Sequence, residues 1–494
     1  MTDSPRLFRK FLSFSMGPIM AAALSLVTTP IITRLILPEE YGKATMFAIA
    51  CNVVALGGYL GADMSFVRFF NDTTGRSRRR LLWTSLLISV GTTLVICAVL
   101  LAFWRFASLV LFGSVTLLPV LELCVTAVFG VLFRYSLLVL RMKQRGAAFS
   151  LLTFANSAIN SLVVVLLGLL VTRTFHAIAL GMLASMALPS VVAVLIEKES
   201  WFRFGRCEAP LGPDEVDLGP SRSGIRAILQ YGLPFVPAAL GTWALESMSQ
   251  IALRNLAGFV ALGLYMASFK VVAALSIFQK SFSTFWAPVA FERYAKSPSE
   301  TALFERTFLA VSGGLLIVGV AVLSAKDVIV LLLGPSYRGA ATIMPFLVLF
   351  PLMYTVSEVT VMGINFAKRT YWHVAIAAGS AGICAIGNWM LVPILGPQGA
   401  AMSTGIAYVC FFFFRTLISL RYHHVNFHIR RTTFYFGLLI AFAGCTTFVA
   451  DRTVQIMAAA VLLAAVVWGY RDSFGAAIRV VCEHFRARKV SDFT

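Results

Sequence analysis

Stretches of about twenty apolar residues, the length at which an α-helix crosses a bilayer, recur along this chain and constrain its fold more than any other feature. They fall near 11–36, 44–64, 81–104, 117–140, 148–171 and 177–196, then near 228–252, 260–282, 307–324, 342–366, 372–393 and 399–420. A last pair lies near 433–450 and 454–470. A helix satisfies its own backbone polar groups in lipid, so each run is expected to span as a helix. Composition agrees: 59% of the 494 residues are hydrophobic and 13% charged, with a mean hydropathy of +0.84. A soluble domain has about 45–50% apolar and about 25% charged residues. The fold class is therefore all-α, a polytopic membrane protein of about 14 spans. The first apolar run continues to Ile36, too long for the core of about 7–15 residues of a cleaved signal, and reads as an uncleaved first helix.

Charge sets the orientation. With the N-terminus cytoplasmic, 29 of the 41 Lys and Arg lie in the tail, the even-numbered loops and the C-terminus, against 8 in the opposite loops. Arg134, Lys270, Lys280 and Arg415 lie inside or at the edge of spans. The positive-inside rule then places both termini in the cytoplasm. The net charge of +19 is accounted for by topology and by attraction to anionic membrane lipid, with no nucleic-acid partner implied.

Residues 197–226 are polar and rich in Pro, Gly and charge, and read as a cytoplasmic linker. They divide the chain into an N-terminal six-helix bundle (1–196), the linker, a C-terminal six-helix bundle (227–420), and an extra helix pair with a basic tail (421–494). None of the eight cysteines forms a CxxC pair, so no disulfide or metal site is expected. His423, His424 and His428 sit beside Arg421, Arg430 and Arg431, a basic interfacial loop with no carboxylate or Cys in the local sequence to complete a ligand set. There is no GxxxxGK[ST] phosphate loop and no cofactor is expected.

The two halves echo each other at a nearly constant offset. Arg34 in "TRLILPEEYG" matches Arg254 in "LRNLAGFVALG", 220 residues on, and "VLFG" (110–113) matches "LLLG" (331–334). "LRMKQRG" (140–146) matches "INFAKRT" (364–370), and Gly181 matches Gly405, both 224 residues on. "SMGP" (15–18) and "YGLP" (231–234) open the halves. An even number of spans per half makes this a parallel repeat, which in transporters encloses a cavity that opens to each side in turn.

"LILPEEYGKATMF", "GADMSFVRFF" (61–70), "RMKQRG" and above all "LQYGLPFVPAAL…LAGFVALGLYMASFKVVA" (229–273) resemble bacterial polysaccharide flippases. These belong to the multidrug/oligosaccharidyl-lipid/polysaccharide (MOP) exporter superfamily. "LLLGPSYRGAATIMPFLVL" (331–349) and "GPQGAAMSTGIAY" (396–408) fit the same pattern. The resemblance implies an inner-membrane protein with 14 helices. It would move an undecaprenyl-diphosphate-linked oligosaccharide to the periplasmic leaflet by alternating access, for O-antigen, capsule or exopolysaccharide. It also implies polysaccharide polymerase and export machinery as partners. A lipid II or multidrug exporter of the same superfamily is the alternative. A membrane-embedded polymerase or acyltransferase fits less well, because outer loops are short and no paired carboxylates or Ser/His/Asp set falls at one depth.

A charge within the bilayer faces a cavity or a partner. Lys270, near the middle of span eight, is the cation expected to meet the diphosphate, with an ion pair to a neighbouring helix as the other reading. Arg34 and Arg254 at the outer ends of spans one and seven, and Arg68 at the cytoplasmic end of span two, are substrate-binding candidates or helix-end anchors. Arg134 and Glu358 occupy equivalent repeat positions, 224 apart, with opposite charge. They read as a gate across the repeat axis or as two separate helix-stabilising pairs. Glu122 and Glu246 lie toward the outer ends, as exposed interfacial carboxylates or, either of them, as a site of proton or sodium coupling. Asp63 reads as a helix-end residue. Pro18, Pro234 and Pro237 are expected to kink spans one and seven.

Overall fold

The computed structural model describes residues 4–73, 75–202, 221–297, 300–369 and 371–472. The chain divides into two compact units, Met1–Gln250 and Ile251–Thr494. Every described element with a regular backbone is helical.

The first unit contains α1 (Ser4–Leu35), α2 (Pro38–Tyr59), α3 (Ala62–Phe69), α4 (Gly75–Ala102), α5 (Trp104–Phe112), α6 (Leu118–Met142), α7 (Gly146–Leu170), α8 (Phe175–Ile196), α9 (Lys198–Phe202) and α10 (Arg222–Gly232). Helix α11 (Phe235–Leu256) carries the boundary between the units. The second unit continues with α12 (Gly258–Val272), α13 (Leu275–Lys296), α14 (Ala302–Ser324), α15 (Lys326–Leu331), α16 (Ala340–Thr360), α17 (Met362–Phe366), α18 (Tyr371–Leu395), α19 (Pro397–Leu420), α20 (Ile429–Phe448) and α21 (Arg452–Gly469).

Among the described residues ten helices are long and apolar enough to cross a membrane, and twelve spans result if the bent pairs α2–α3 and α12–α13 each count as one. The two other expected spans, 228–252 and 433–450, correspond to α11 and α20, helices of 22 and 20 residues outside that set. Local chemistry explains several ends. Prolines at the first or second position open α2, α6 and α19, where a missing N–H costs nothing. Asp451 caps α21 by accepting from Thr453 N, and Gly113 closes α5 in the left-handed conformation at φ 72°. Thus the "VLFG" and "LLLG" echoes mark a repeated device, a short helix (α5, α15) directly after a spanning one (α4, α14).

Each unit is organised around one helix. Helix α6 packs on α2, α3, α4, α5, α7 and α8. Its counterpart α16 packs on α12, α13, α14, α15, α17, α19 and α20. These are the most buried spans, with 56% and 83% of their residues inside. Close helix packing in lipid relies on small residues. The matched glycines Gly181 and Gly405 show why: an added Cβ would lie 2.6 Å from Val164 Cγ2 and 2.7 Å from Phe346 O, respectively. The last pair, α20 and α21, packs on α14.

The expected linker is folded at both flanks. In α9, Trp201 is buried, and its carbonyl accepts from Trp83 Nε1 at 2.9 Å. Helix α10 buries Gly224, Ile228 and Gly232 against α3. Residues 203–220 between them, and the basic tail beyond residue 472, lie outside the described residues. The helix of span seven is interrupted where its prolines fall: α10 stops before Pro234, and Pro237 sits in the first turn of α11.

Candidate functional site

Among the described residues two spans are broken, one in each unit, the second break falling about two turns earlier in its span than the first. Helix α2 gives way to α3 through Leu60 and Gly61, with φ of 45° and 73°, and the axis turns by 55°. Helix α12 gives way to α13 at Ala273–Ala274, with a turn of 45°. Gly61 is required twice over. Its φ favours glycine, and an added Cβ would lie 2.0 Å from Gly232 O in α10. Two backbones therefore touch at this break, and Ser65 Oγ reinforces the contact by donating to Ile228 O at 2.7 Å.

In each unit an ion pair on the central helix is tied to the second limb of the broken span; it is buried in the second unit, whereas in the first the Arg134 side chain is 38% exposed. In the first unit Asp63, in the first turn of α3, is 5% exposed. Arg134 of α6 donates to its Oδ2 from Nε at 3.2 Å and from Nη2 at 2.9 Å. In the second unit Glu358 of α16 and Arg415 of α19 are 9% and 7% exposed. Arg415 Nη1 donates to Glu358 Oε1 at 2.8 Å and to Ser357 Oγ at 2.7 Å. Its guanidinium lies over the rings of Tyr354 and Phe411 at 5.3 and 5.0 Å, a favourable place for a cation. Ser283 of α13 donates to the other Glu358 oxygen.

Arg134 and Glu358 thus do one job with opposite sign. Each joins the central helix of its unit to the second limb of the broken span, directly through Asp63 or through Ser283. Each has its charge partner within its own unit. Asp63, read from sequence as a helix-end residue, is instead a buried partner. A carboxylate just after a glycine in an apolar span was the available signal, because a buried charge needs a counter-charge. Arg415 carried the same signal.

The other candidates are separate. Lys270 is exposed in the last turn of α12, just before the break. Arg34 is exposed in the last turn of α1. Arg254 occupies the same place in α11, half-buried over the Phe259 ring at 5.3 Å, with Nη1 3.4 Å from Asn255 Oδ1. Cations suit these helix ends. Arg68, in the last turn of α3, pairs with Asp72 at 2.6 Å on the surface of its unit. Glu246 is exposed on α11.

Glu122 departs from expectation. Rather than an exposed interfacial carboxylate it is 8% exposed, and His176 Nδ1 lies 3.0 and 2.8 Å from its two oxygens. His176 follows Phe175, whose backbone N–H donates to Glu40 Oε2 at 2.8 Å. The histidines near 423–428 also find partners the local sequence does not display: His428 Nε2 lies 2.7 Å from Glu305 Oε1, and His423 packs among Tyr294, Phe304 and Phe366.

Residues 7–294 match the family model described as "Polysaccharide biosynthesis protein". No curated protein matches the chain by sequence. Among solved structures it is similar to the lipid II flippase MurJ in an inward closed conformation, with 14% identity, a TM-score of 0.58, and coverage of 93% of this chain and 99% of that one. It is also similar to a multidrug resistance MATE family transporter of the MOP superfamily in an inward-facing conformation, with 14% identity, a TM-score of 0.52, and coverage of 83% and 97%. The Vibrio cholerae MATE transporter VcmN gives 15% identity, a TM-score of 0.53, and coverage of 84% and 97%. At such identities the likeness is one of fold.

Proposed function

The chain belongs to the polysaccharide biosynthesis protein family, as a multi-pass membrane transporter of flippase type rather than an enzyme, and from that premise we propose that it translocates an undecaprenyl-diphosphate-linked oligosaccharide from the cytoplasmic to the periplasmic leaflet. The observation that carries this reading is the reach of the family match, which runs through both broken spans to Tyr294 and includes Lys270. In this reading Lys270 receives the diphosphate. A compact ammonium in a low-dielectric site attracts a diphosphate strongly, yet lacks the bidentate grip that would hinder release. Arg34, Arg254 and Arg68 supply weaker attraction along the route. The two span breaks are the flexing points of alternating access, and the Arg134–Asp63 and Glu358–Arg415 pairs hold their second limbs in register with the central helices. Both termini are cytoplasmic, and the N- and C-terminal bundles are the moving halves, with α10 travelling with the first through its contact with α3.

The test is a deletion strain. Loss of the protein should leave lipid-linked repeat units on the cytoplasmic side and remove surface polysaccharide, while peptidoglycan synthesis continues. Accumulation of lipid II instead would assign the chain to the lipid II branch of the fold. Normal distribution of both lipids would overturn the flippase reading.

A further inference from the structure

A cavity of about 320 Å³ opens in the second unit at the end where α14 gives way to α15 and α20 turns into α21. It lies at the opposite end of α16 from Glu358, and the last helix pair, which stands outside the repeat, supplies most of its wall. Its chemistry is mixed. Lys326 is 4% exposed and its Nζ lies 3.0 Å from Asp327 Oδ1. Arg452 Nη2 reaches to 4.0 Å from the other Asp327 oxygen. Gln455 is held by donating from Nε2 to Val449 O at 2.6 Å. The buried Thr447 hydroxyl has no hydrogen-bond partner, and Phe448 presents a ring that is 55% exposed.

We propose that this cavity is a saccharide-binding site, for a neutral or singly acidic sugar residue. Four features point there. The volume sits at the low end of the about 300–1,000 Å³ of small-ligand sites, room for about one or two sugar rings. A carboxylate held between two cations offers acceptors and donors side by side, which suits hydroxyl groups that both donate and accept. With two cations and one carboxylate the lining carries a single net positive charge, which admits a neutral or singly acidic sugar, and a glycerol 3-phosphate probe separates that ligand from a lipid headgroup. Thr447 lines the cavity and its hydroxyl has no hydrogen-bond partner; a turn about χ1 to another staggered rotamer brings it to a ligand hydroxyl. Phe448 supplies an apolar face for the ring. The inference leans on the flippase reading only for the source of the sugar, as part of the exported chain held after it crosses.

The experiment uses the purified full-length protein in lipid nanodiscs and saturation-transfer NMR, which detects weak binding. The probes are the methyl glycosides of glucose, galactose and mannose, free glucuronate, and glycerol 3-phosphate as the headgroup arm. At least one sugar should show saturation, and Asp327→Asn and Gln455→Ala should each weaken it about tenfold, the loss expected for a hydrogen bond to a charged or buried partner. Thr447→Val keeps the shape of the side chain and should weaken it as well, which covers the case in which either polar variant unfolds. Lys270→Ala should leave the signal intact. Saturation of glycerol 3-phosphate alone, of no sugar, or of a sugar equally in all three cavity variants would overturn the proposal. A signal lost in Lys270→Ala and kept in Asp327→Asn would do the same. A chain that binds sugar here but does not export would sink the flippase reading and leave this one standing.

Discussion

The ion pair in the second unit sets a quantitative expectation. Arg415→Ala leaves Glu358, at 9% exposure, with only the Ser283 hydroxyl and no counter-charge. Breaking a buried pair by removing one partner costs about 3–5 kcal/mol in water-soluble proteins, because the remaining charge is stranded. Interhelical hydrogen bonds in bilayers measure less, about 0.6 kcal/mol on average and about 1.7 at most, since the unfolded chain also finds partners in lipid. A full charge raises the loss above that range, so at least about 2 kcal/mol is expected, about thirtyfold in the folded population. Glu358→Gln keeps an acceptor for Ser283 and removes the charge, but strands Arg415, whose aromatic neighbours soften the loss. The double variant Arg415→Ala with Glu358→Gln leaves no charge stranded and should recover most of the electrostatic loss. Equilibrium unfolding in mixed detergent micelles reads all three. The cycle should return a coupling of about 1–3 kcal/mol. Additive losses, or single variants within about 0.5 kcal/mol of the parent, would show that the pair contributes nothing and that the break at Ala273–Ala274 is held by packing alone.

Four further outcomes follow from the geometry. Lys270→Ala should abolish or greatly reduce surface polysaccharide at normal membrane levels, with Lys270→Arg keeping part of the activity; full export by the alanine variant would remove this residue from the mechanism. Exchanging the charges of Arg134 and Asp63 together should recover export that either reversal alone loses, measured as capsule or O-antigen on intact cells. Gly232→Ala places a Cβ 2.6 Å from Gly61 backbone atoms and should cost about 1–3 kcal/mol of overpacking, read as faster hydrogen exchange across 222–232. Burial first, and then the neighbouring His424, hold His423 below its usual value of 6.5, so the fold prefers it neutral. That contribution is complete above about 6.5 and is lost as pH falls through the lowered value; protection factors across 421–428, with the intrinsic pH dependence of exchange divided out, should fall between about pH 7.5 and about pH 5, and His423→Phe should remove the difference.

The spans were legible because hydropathy is written into every residue of a membrane helix. All fourteen expected runs carry helix, and the "VLFG" and "LLLG" echoes mark a real repeated element. The breaks were legible unequally. Gly61, with Gly57 and Gly58 before it, advertises a weak point in span two. Ala273 and Ala274 advertise none, since alanine favours helix, and that break is defined by contacts such as Ser283 to Glu358 that lie 75 residues apart. The flanks of the linker escaped for a different reason. A stripe of Gly224, Ile228 and Gly232 has helical spacing, but two of its three members are glycines, and only contact with Gly61 makes them useful. Charge partners were the least legible part. Arg134 meets Asp63 across 71 residues and Arg415 meets Glu358 across 57, distances at which sequence can say that a partner is needed but not which residue it is.

The inverted polarity of positions 134 and 358 then has a physical explanation. A buried charge on a central helix is tolerated when its counter-charge is close, whichever sign stands on which helix. After a duplication, each unit can therefore settle its own pair independently, provided both members change together. The first unit placed the carboxylate on the broken span and the cation on the central helix. The second placed the carboxylate on the central helix, moved the cation to α19, and joined the broken span through a serine. What the two copies keep in common is the connection between the central helix and the second limb, not the charge. A substrate with a diphosphate reads sign, and these pairs have neutralised theirs, so under the proposed function they hold the helices and the attraction is assigned to other cations, for which Lys270 is the proposed residue.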